Sequence, residues 1–200
     1  LLSPNLIQGN KMTIQHKLIT GTDLHEPKGV AAAAANKVYV ANGSASGAWS
    51  TLTTSTMALP KGKFYFYNIA SPYTLAHSSS TAKVAPTTIA SGLGSLVTEA
   101  TSARLTYTGS LTTVVNLNFD VSLKQAAGAD REITFAVHRN GTVIAGSQVL
   151  ATCVTSDVTQ ASGSCFYNAA TNDYFEIYAH NTGANGDMIF QKVGLTLTAT

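Results

Sequence analysis

The chain has 200 residues, which is enough for one substantial domain and a smaller appended segment. Charged residues make up 11% of it and apolar residues 44%, whereas soluble domains carry roughly 25% charged residues, so a disordered acidic or basic tail is excluded. The net charge is only +2 and Lys and Arg do not cluster, which argues against a nucleic-acid partner, and no run of 18 apolar residues suggests a membrane span.

The first 60 residues differ from the rest of the chain. Glycines divide residues 12–50 into short segments, and the five alanines at 31–35 are too few to nucleate a helix alone. A brief strand is predicted at Val38-Tyr39-Val40, a turn-rich link follows at 42–47, and Trp49 is the only large anchor. We therefore predict an extended N-terminal arm over residues 1–60. The start lacks a basic segment followed by an apolar one, so we expect no secretory signal.

Short β-strands are predicted one after another from residue 61 onward. The clearest lies at 115–123, where Val115, Leu117, Phe119, Val121 and Leu123 alternate with polar residues, the pattern of a half-buried strand. Asn140-Gly141 is the preferred two-residue type I′ turn, which predicts a hairpin over 132–150. The remaining strands are predicted at 64–67, 73–76, 103–108, 165–168, 173–181 and 187–199, with 78–95 mostly loop.

Eight to ten short strands separated by turn signals, with almost no helix signal, indicate a sandwich or jelly roll. The predicted fold class is all-β: an antiparallel jelly-roll sandwich over residues 61–200, preceded by the extended arm of residues 1–60.

Aromatic residues occupy both sides of two predicted strands. Phe64 and Phe66 are backed by Tyr65 and Tyr67, and the strand at 173–181 carries Tyr174 and Tyr178 on the side opposite its aliphatic residues. One face of an isolated antiparallel sandwich is expected to be polar. We therefore expect another subunit to cover Tyr65, Tyr67, Tyr174 and Tyr178, since tyrosine suits an interface with one wet end. The alternative is that these rings simply lie on the surface.

The N-terminal segment carries several short motifs. In chain order they are His25-Glu26-Pro27-Lys28-Gly29-Val30, the alanine stretch, Val38-Tyr39-Val40-Ala41-Asn42-Gly43 and Ser46-Gly47-Ala48-Trp49. This series resembles the N-terminal module of tailed-bacteriophage fibre and head-decoration proteins. The resemblance implies attachment to the virion through His25, Glu26, Pro27, Lys28, Gly29 and Trp49, with phage capsid or tail proteins as partners.

A second resemblance covers about 140 residues. It is carried by Phe135-Ala136-Val137-His138-Arg139-Asn140-Gly141, by Asp173-x-Phe175-x-Ile177 and by the last strand, Val193-x-Leu195-x-Leu197. These segments look like the tumour-necrosis-factor-like jelly roll, also seen in the complement globular head. The resemblance implies a homotrimer without a catalytic site.

Together the two resemblances imply a virion structural protein, a trimeric short head fibre or capsid decoration that is assembled in the host cytoplasm. The alternative is a tail-fibre adhesin that recognises host surface glycans through loops 78–95, 124–131 and 155–163. Those loops contain no aromatic residue for stacking on sugars, which ranks adhesion second.

Catalytic and metal-binding patterns are weak, so we expect no enzyme, metal or cofactor. His25-Glu26 is followed by Pro27 and lacks the second histidine of the zinc-binding helix motif. His138 and His180, at strand ends, are candidates for a metal site on a three-fold axis, although an ordinary hydrogen-bonded histidine is the simpler interpretation. Cys153 and Cys165 either bridge neighbouring strands or serve as two small buried apolar residues.

Overall fold

The structure is a computed structural model that describes residues 37–41, 47–51, 58–76, 80–92, 94–100, 102–155, 157–181 and 186–200. The chain divides into two compact units, Leu1–Thr56 and Met57–Thr200. Within the described ranges every regular element is a β-strand, and no helix there is long and apolar enough to cross a lipid bilayer.

The described part of the first unit is a two-stranded antiparallel sheet. Strand β1 (Lys37–Ala41) pairs with β2 (Gly47–Thr51), and the register places Tyr39 opposite Trp49. The brief strand predicted at 38–40 is therefore present. The rest of the predicted N-terminal arm over residues 1–60 lies largely outside the described residues, so its extent stays a prediction.

The second unit contains the remaining strands. They are β3 (Lys61–Tyr67), β4 (Tyr73–Leu75), β5 (Ala82–Lys83), β6 (Ala90–Ser91), β7 (Val97–Ala100), β8 (Arg104–Tyr107), β9 (Thr113–Gln125), β10 (Arg131–Arg139), β11 (Thr142–Val143), β12 (Val149–Cys153), β13 (Thr159–Ala169), β14 (Tyr174–Asn181) and β15 (Met188–Ala199).

These strands form two antiparallel sheets. One has six strands in the order β13-β9-β15-β3-β6, with β4 also paired to β15. The other has seven in the order β11-β10-β14-β8-β7, with β12 paired to β10 and β5 to β14. From β8 onward the chain crosses between the sheets at every step except from β10 to β11 and from β11 to β12. This alternation is the jelly-roll arrangement, so the predicted fold class is confirmed.

The core lies between the two sheets and is built from the inward residues of each strand. All five apolar residues of the alternating segment at 115–123 are buried, as predicted, and so are Phe135, Phe175 and Phe190. The ring of Phe135 meets that of Phe190 edge-on, with centroids 6.2 Å apart. Because β10 belongs to one sheet and β15 to the other, this contact joins the two layers.

Strand β13 is longer than predicted, since it begins at Thr159 rather than Cys165. Its first half has no large apolar residue that would reveal it in the sequence. The reason is local: a Cβ on Gly163 would lie 2.6 Å from Cε1 of Phe119, so that ring already fills the space beneath the strand. Two other differences are the strand β7, which was not predicted, and the segment 142–150, which leaves the sheet between β11 and β12.

The Asn140-Gly141 turn is present as predicted. Both residues have positive φ, 50° and 81°, as a type I′ turn requires. The side chain of Asn140 also donates from Nδ2 to Oδ1 of Asp173 (2.8 Å) and accepts from the backbone NH of Tyr174 (2.9 Å). The turn is thereby tied to the start of β14.

Candidate interaction surfaces

The solvent face of the six-stranded sheet exposes several large apolar side chains. Tyr65 and Tyr67 on β3 are 44% and 65% exposed, Phe166 on β13 is 65% exposed, and Val114 on β9 is 43% exposed. We call this surface the aromatic face. Its aromatic side chains leave the sheet on the side opposite the buried Phe64 and Phe66.

The aromatic side chains occupy two separate parts of this face. Through the pairings of β13, β9, β15 and β3, Phe166 lies in a row with Asn116 and Thr198, and Tyr65 lies in a row with Gly194 and Asp120. Neighbouring strands are about 4.8 Å apart, so β13 and β3 are separated by roughly 14 Å. The face therefore has one aromatic patch on each side.

The centre of the aromatic face lacks a side chain at Gly194 and carries one balanced ion pair. A Cβ on Gly194 would lie 2.7 Å from Oδ1 of Asp120, so that carboxylate fills the place of a side chain. Its other oxygen forms an ion pair with Nζ of Lys192 at 2.6 Å, and both side chains are 46% exposed. At this exposure the pair contributes about 0–1 kcal/mol to stability.

A shallow depression of about 540 Å³ borders Tyr65. Besides Tyr65, side chains that line it include those of Lys61, Lys63, Ser91 and Thr196. Lys63 also lies over the Tyr65 ring, with Nζ 5.6 Å from the centroid. An exposed ring at one side of the face thus has a recess beside it, whereas Phe166 at the other side projects into solvent.

The solvent face of the seven-stranded sheet has a different character. Its centre is Glu176, only 2% exposed, whose Oε1 accepts from Nζ of Lys83 at 2.6 Å and from Nε of Arg104 at 2.8 Å. Its other oxygen accepts from the hydroxyl of Tyr178 at 3.4 Å. We call this surface the charged face.

The two tyrosines of the charged face have partners within the subunit. The guanidinium of Arg104 lies over the ring of Tyr174, with Cζ 3.8 Å from its centroid. The ring of Tyr178 stacks on the imidazole of His138, with centroids 3.9 Å apart and planes 15° apart. Both tyrosines are half-buried.

The charged groups alter one another's ionisation. Burial alone would raise the pKa of the Glu176 carboxyl, but the hydrogen bonds and charges of Lys83 and Arg104 outweigh it and lower that pKa. The pKa of Tyr178 is raised by burial first and then by the neighbouring carboxylate of Glu176. Glu176 is therefore held ionised, and Tyr178 remains a hydroxyl donor.

The four tyrosines predicted to meet another subunit thus do not share one surface. Tyr65 and Tyr67 belong to the aromatic face and have large exposed areas, whereas Tyr174 and Tyr178 belong to the charged face and are covered internally. Their part in assembly stays a prediction. The physical reason for it, an aromatic ring that needs covering, now applies only to Tyr65 and Tyr67.

Of the residues predicted to attach the protein to a virion, only Trp49 is among those described. It is half-buried on β2. His25, Glu26, Pro27, Lys28 and Gly29 lie outside the described residues, so their role also stays a prediction.

The described residues contain no group of three or more His, Cys, Asp and Glu side chains that could hold a metal ion. Nδ1 of His138 lies 3.1 Å from the carbonyl oxygen of Gly141. Because a carbonyl oxygen can only accept a hydrogen bond, Nδ1 carries the proton in this contact.

Cys153 and Cys165 are buried and do not form a disulfide. They therefore match the interpretation from sequence in which they serve as two small buried apolar residues. Burial, followed by the charge of Asp130, raises the pKa of Cys153 to about 11.

Sequence comparison finds no family model that matches the chain and no match among curated proteins. Comparison with solved structures finds similar chains at low sequence identity. The Eiger TNF of S. frugiperda is 11% identical over 72% of this chain and 94% of that one, with a TM-score of 0.49. Murine APRIL is 11% identical over 70% of this chain and 99% of that one, with a TM-score of 0.48. These likenesses carry no argument about function.

Proposed function

We propose that this protein is a non-enzymatic structural component of a phage virion whose jelly-roll unit assembles as a homotrimer through the aromatic face. The observation that carries the assembly is the exposure of Tyr65, Tyr67 and Phe166 on a single sheet surface. The virion setting and the number three come from the sequence resemblances described above.

The layout of the aromatic face suits a closed ring of identical subunits. In such a ring each subunit contacts its two neighbours through two different patches. Here one patch is the projecting Phe166, and the other is the depression beside Tyr65 on the far side of the same face. A buried aromatic anchor in a recess is the usual source of most binding energy at such an interface.

The centre of the face favours close approach of neighbouring subunits. Gly194 presents no side chain, and the charge of Asp120 is already balanced by Lys192 within the subunit. Association therefore leaves no unpaired carboxylate at the middle of the interface, which would be costly to desolvate.

Light scattering of the full chain, coupled to size-exclusion chromatography, tests the assembly. We expect a mass of three subunits at micromolar concentration, and Phe166→Ser should shift it toward one subunit. A single-subunit mass for the unmodified chain would overturn the proposed trimer. Gold labelling of intact phage particles tests the virion setting separately. If the protein is a trimer in solution but no label binds to the particles, the proposed trimer is supported and the proposed virion location is wrong.

A second candidate function is recognition of glycans. The loops expected to carry it contain no aromatic residue, and part of each, such as 159–163 in strand β13, belongs to a strand. The charged face, however, has a polar pocket lined by Tyr178 and His138, and this pocket is an alternative site for a glycan. Binding of the full chain to a glycan array tests this second function, and the absence of binding to any glycan on the array would contradict it.

A further inference from the structure

Asparagine is followed by glycine at three places in the chain, 42–43, 140–141 and 185–186. Asparagine is a thermolabile residue. It loses its side-chain amide most readily before glycine, because glycine has no side chain to hinder attack by its backbone nitrogen. Of the three pairs, the described residues include both members only for Asn140-Gly141. The contacts of this pair indicate when the reaction can occur and what it does to the fold.

In the folded chain the side-chain amide of Asn140 is held against the start of β14. Nδ2 donates to Oδ1 of Asp173 at 2.8 Å, and Oδ1 accepts from the backbone NH of Tyr174 at 2.9 Å. The backbone NH of Asn140 also donates to the carbonyl of Tyr174 at 3.0 Å. Deamidation requires the side chain to turn toward the nitrogen of Gly141 and Nδ2 to leave, so its bond to Asp173 must break first. The hairpin therefore has to detach from β14 before Asn140 reacts.

Once the hairpin is open, the reaction needs no partner except water. The backbone nitrogen of Gly141 gives up its proton and bonds to Cγ of Asn140, the bond from Cγ to Nδ2 breaks, and Nδ2 takes up a proton and leaves as ammonia. Water then adds to either carbonyl carbon of the succinimide ring. Ring opening at Cγ yields aspartate at position 140, and opening at the main-chain carbonyl yields an isoaspartyl linkage.

Aspartate at position 140 would set a carboxylate against Asp173. The oxygen that replaces Nδ2 cannot donate when ionised, so a hydrogen bond becomes a contact between two anions. Asp173 is only 6% exposed, and its Oδ2 is held by the backbone NH of Ala170 at 2.9 Å, so it is not free to turn toward water. Arg139 compensates only in part, since its Nη1 lies 3.9 Å from Asp173 and already donates to the hydroxyl of Tyr167.

The isoaspartyl product does not fit the turn for a different reason. It moves the side-chain methylene of residue 140 into the main chain and so lengthens the turn by a carbon atom. The strands on either side pair Arg139 with Thr142 and His138 with Val143, and this register belongs to a two-residue turn. The lengthened main chain therefore cannot keep both pairs.

We propose that Asn140 is a site of spontaneous deamidation that reacts from the opened hairpin, and that its products cannot rebuild the contact with β14. Deamidation thus makes a reversible opening of the hairpin permanent. The inference does not depend on the proposed trimer or on the virion setting, because all the contacts that carry it lie within one subunit.

The first test measures the rate of deamidation. The full chain is incubated in buffer and in guanidinium chloride at one pH and temperature, and peptide mapping by mass spectrometry follows conversion at position 140. We expect conversion in buffer to be at least about ten-fold slower, because only the small opened fraction reacts. Gly141→Ala is the control in denaturant, where its methyl group should slow conversion. Equal rates in buffer and denaturant, or an undiminished rate in Gly141→Ala, would overturn the proposal.

The second test measures the effect of the product on the fold by urea denaturation. Asn140→Asp should raise the equilibrium constant for unfolding by about ten-fold, since a hydrogen bond to a buried carboxylate is replaced by repulsion. The matched control is Asn68→Asp. Oδ1 of Asn68 accepts from the backbone NH of Ser71 at 2.8 Å, a role that a carboxylate keeps, so stability should not change.

A double variant separates charge repulsion from general damage to the turn. Asp173→Asn combined with Asn140→Asp restores an amide that faces a carboxylate, so it should recover most of the lost stability. Unchanged stability in Asn140→Asp, or a double variant no more stable than Asn140→Asp, would overturn the proposal. If Asn140→Asp does not fold, a folded double variant supports the proposal and an unfolded one overturns it.

Discussion

Both solvent faces of the sandwich carry tyrosines, but only on the charged face do other side chains of the same subunit cover the rings. On the charged face Tyr174 lies under Arg104 and Tyr178 is stacked on His138, so each ring is covered by its own subunit. On the aromatic face Tyr67 is 65% exposed, and Lys63 approaches Tyr65 only at 5.6 Å. Among these four tyrosines, a ring without an internal cover is therefore found only on the aromatic face.

The same contrast holds for charge. The ion cluster of the charged face surrounds a carboxylate that is 2% exposed, while the Asp120–Lys192 pair of the aromatic face is 46% exposed at both partners. A buried carboxylate depends on its cations, whereas a hydrated one does not. One face is stabilised from within, and the other is available for contact.

The largest expected effect is on folding stability and comes from the charged face. Glu176→Gln leaves Lys83 and Arg104 without their shared carboxylate and should lower the free energy of unfolding by about 2–4 kcal/mol, somewhat reduced because both cations are partly exposed. Urea denaturation measures it. Asp120→Asn, the matched change on the aromatic face, should alter stability by less than about 0.5 kcal/mol. Equal losses in the two variants would contradict the contrast between the faces.

The next effect is on assembly and comes from the aromatic face. Tyr67→Ser and Phe166→Ser should each weaken subunit association by about 2 kcal/mol, the loss typical of a buried aromatic anchor, while subunit folding changes little. Sedimentation equilibrium measures the association constant. Leu150→Ser removes a side chain of similar exposure, 60%, from the seven-stranded sheet and serves as the control. If Leu150→Ser dissociates the protein as strongly as the aromatic variants do, the subunit interface is not specific to the aromatic face.

A smaller effect is expected at the turn that borders the charged face. Gly141 has a φ of 81°, and a Cβ there would meet nothing within 4 Å, so the cost of an added side chain is conformational alone. Gly141→Ala should destabilise the fold by about 1 kcal/mol. Thermal unfolding detects this loss, and an unchanged midpoint would show that the turn adapts.

The most gradual effect is the response to acid. The folded-state pKa of Glu176 is below its ordinary value of 4.5, so its stabilising contribution is complete above that pH and declines as the pH falls toward the lowered folded value. The slope of stability against pH below about 4.5 should therefore be shallower in Glu176→Gln than in the unmodified protein. Identical slopes would mean that folding does not lower the pKa of Glu176.

Much of the fold could be predicted from the sequence, because apolar and polar residues alternate along a strand that has one buried face. Every inward residue of the segment 115–123 is buried, and the Asn140-Gly141 turn has the backbone angles that its sequence requires. The first half of β13 could not be found in this way. Its inward position Gly163 has no side chain because Phe119 projects from the neighbouring strand, and that contact joins residues far apart in the chain.

The charged face could be anticipated only in part. The alternation of β14 places Tyr174, Glu176 and Tyr178 on one side, and that much is visible in the sequence. The cations come from β5 and β8, which lie about 70 to 90 positions away and carry no motif. Sequence periodicity gives the side on which a residue lies but does not reveal which distant strand lies beside it.

Strand β15 lies between β9 and β3, and it pairs with both along most of its length. It is also the last of the described strands to leave the ribosome. Until residue 188 has been synthesised, β9 and β3 each present an unsatisfied backbone edge, and the aromatic face does not exist as a continuous surface. A chain truncated before β15 therefore lacks the strand that joins β9 to β3, and with it the continuous surface on which the proposed assembly depends.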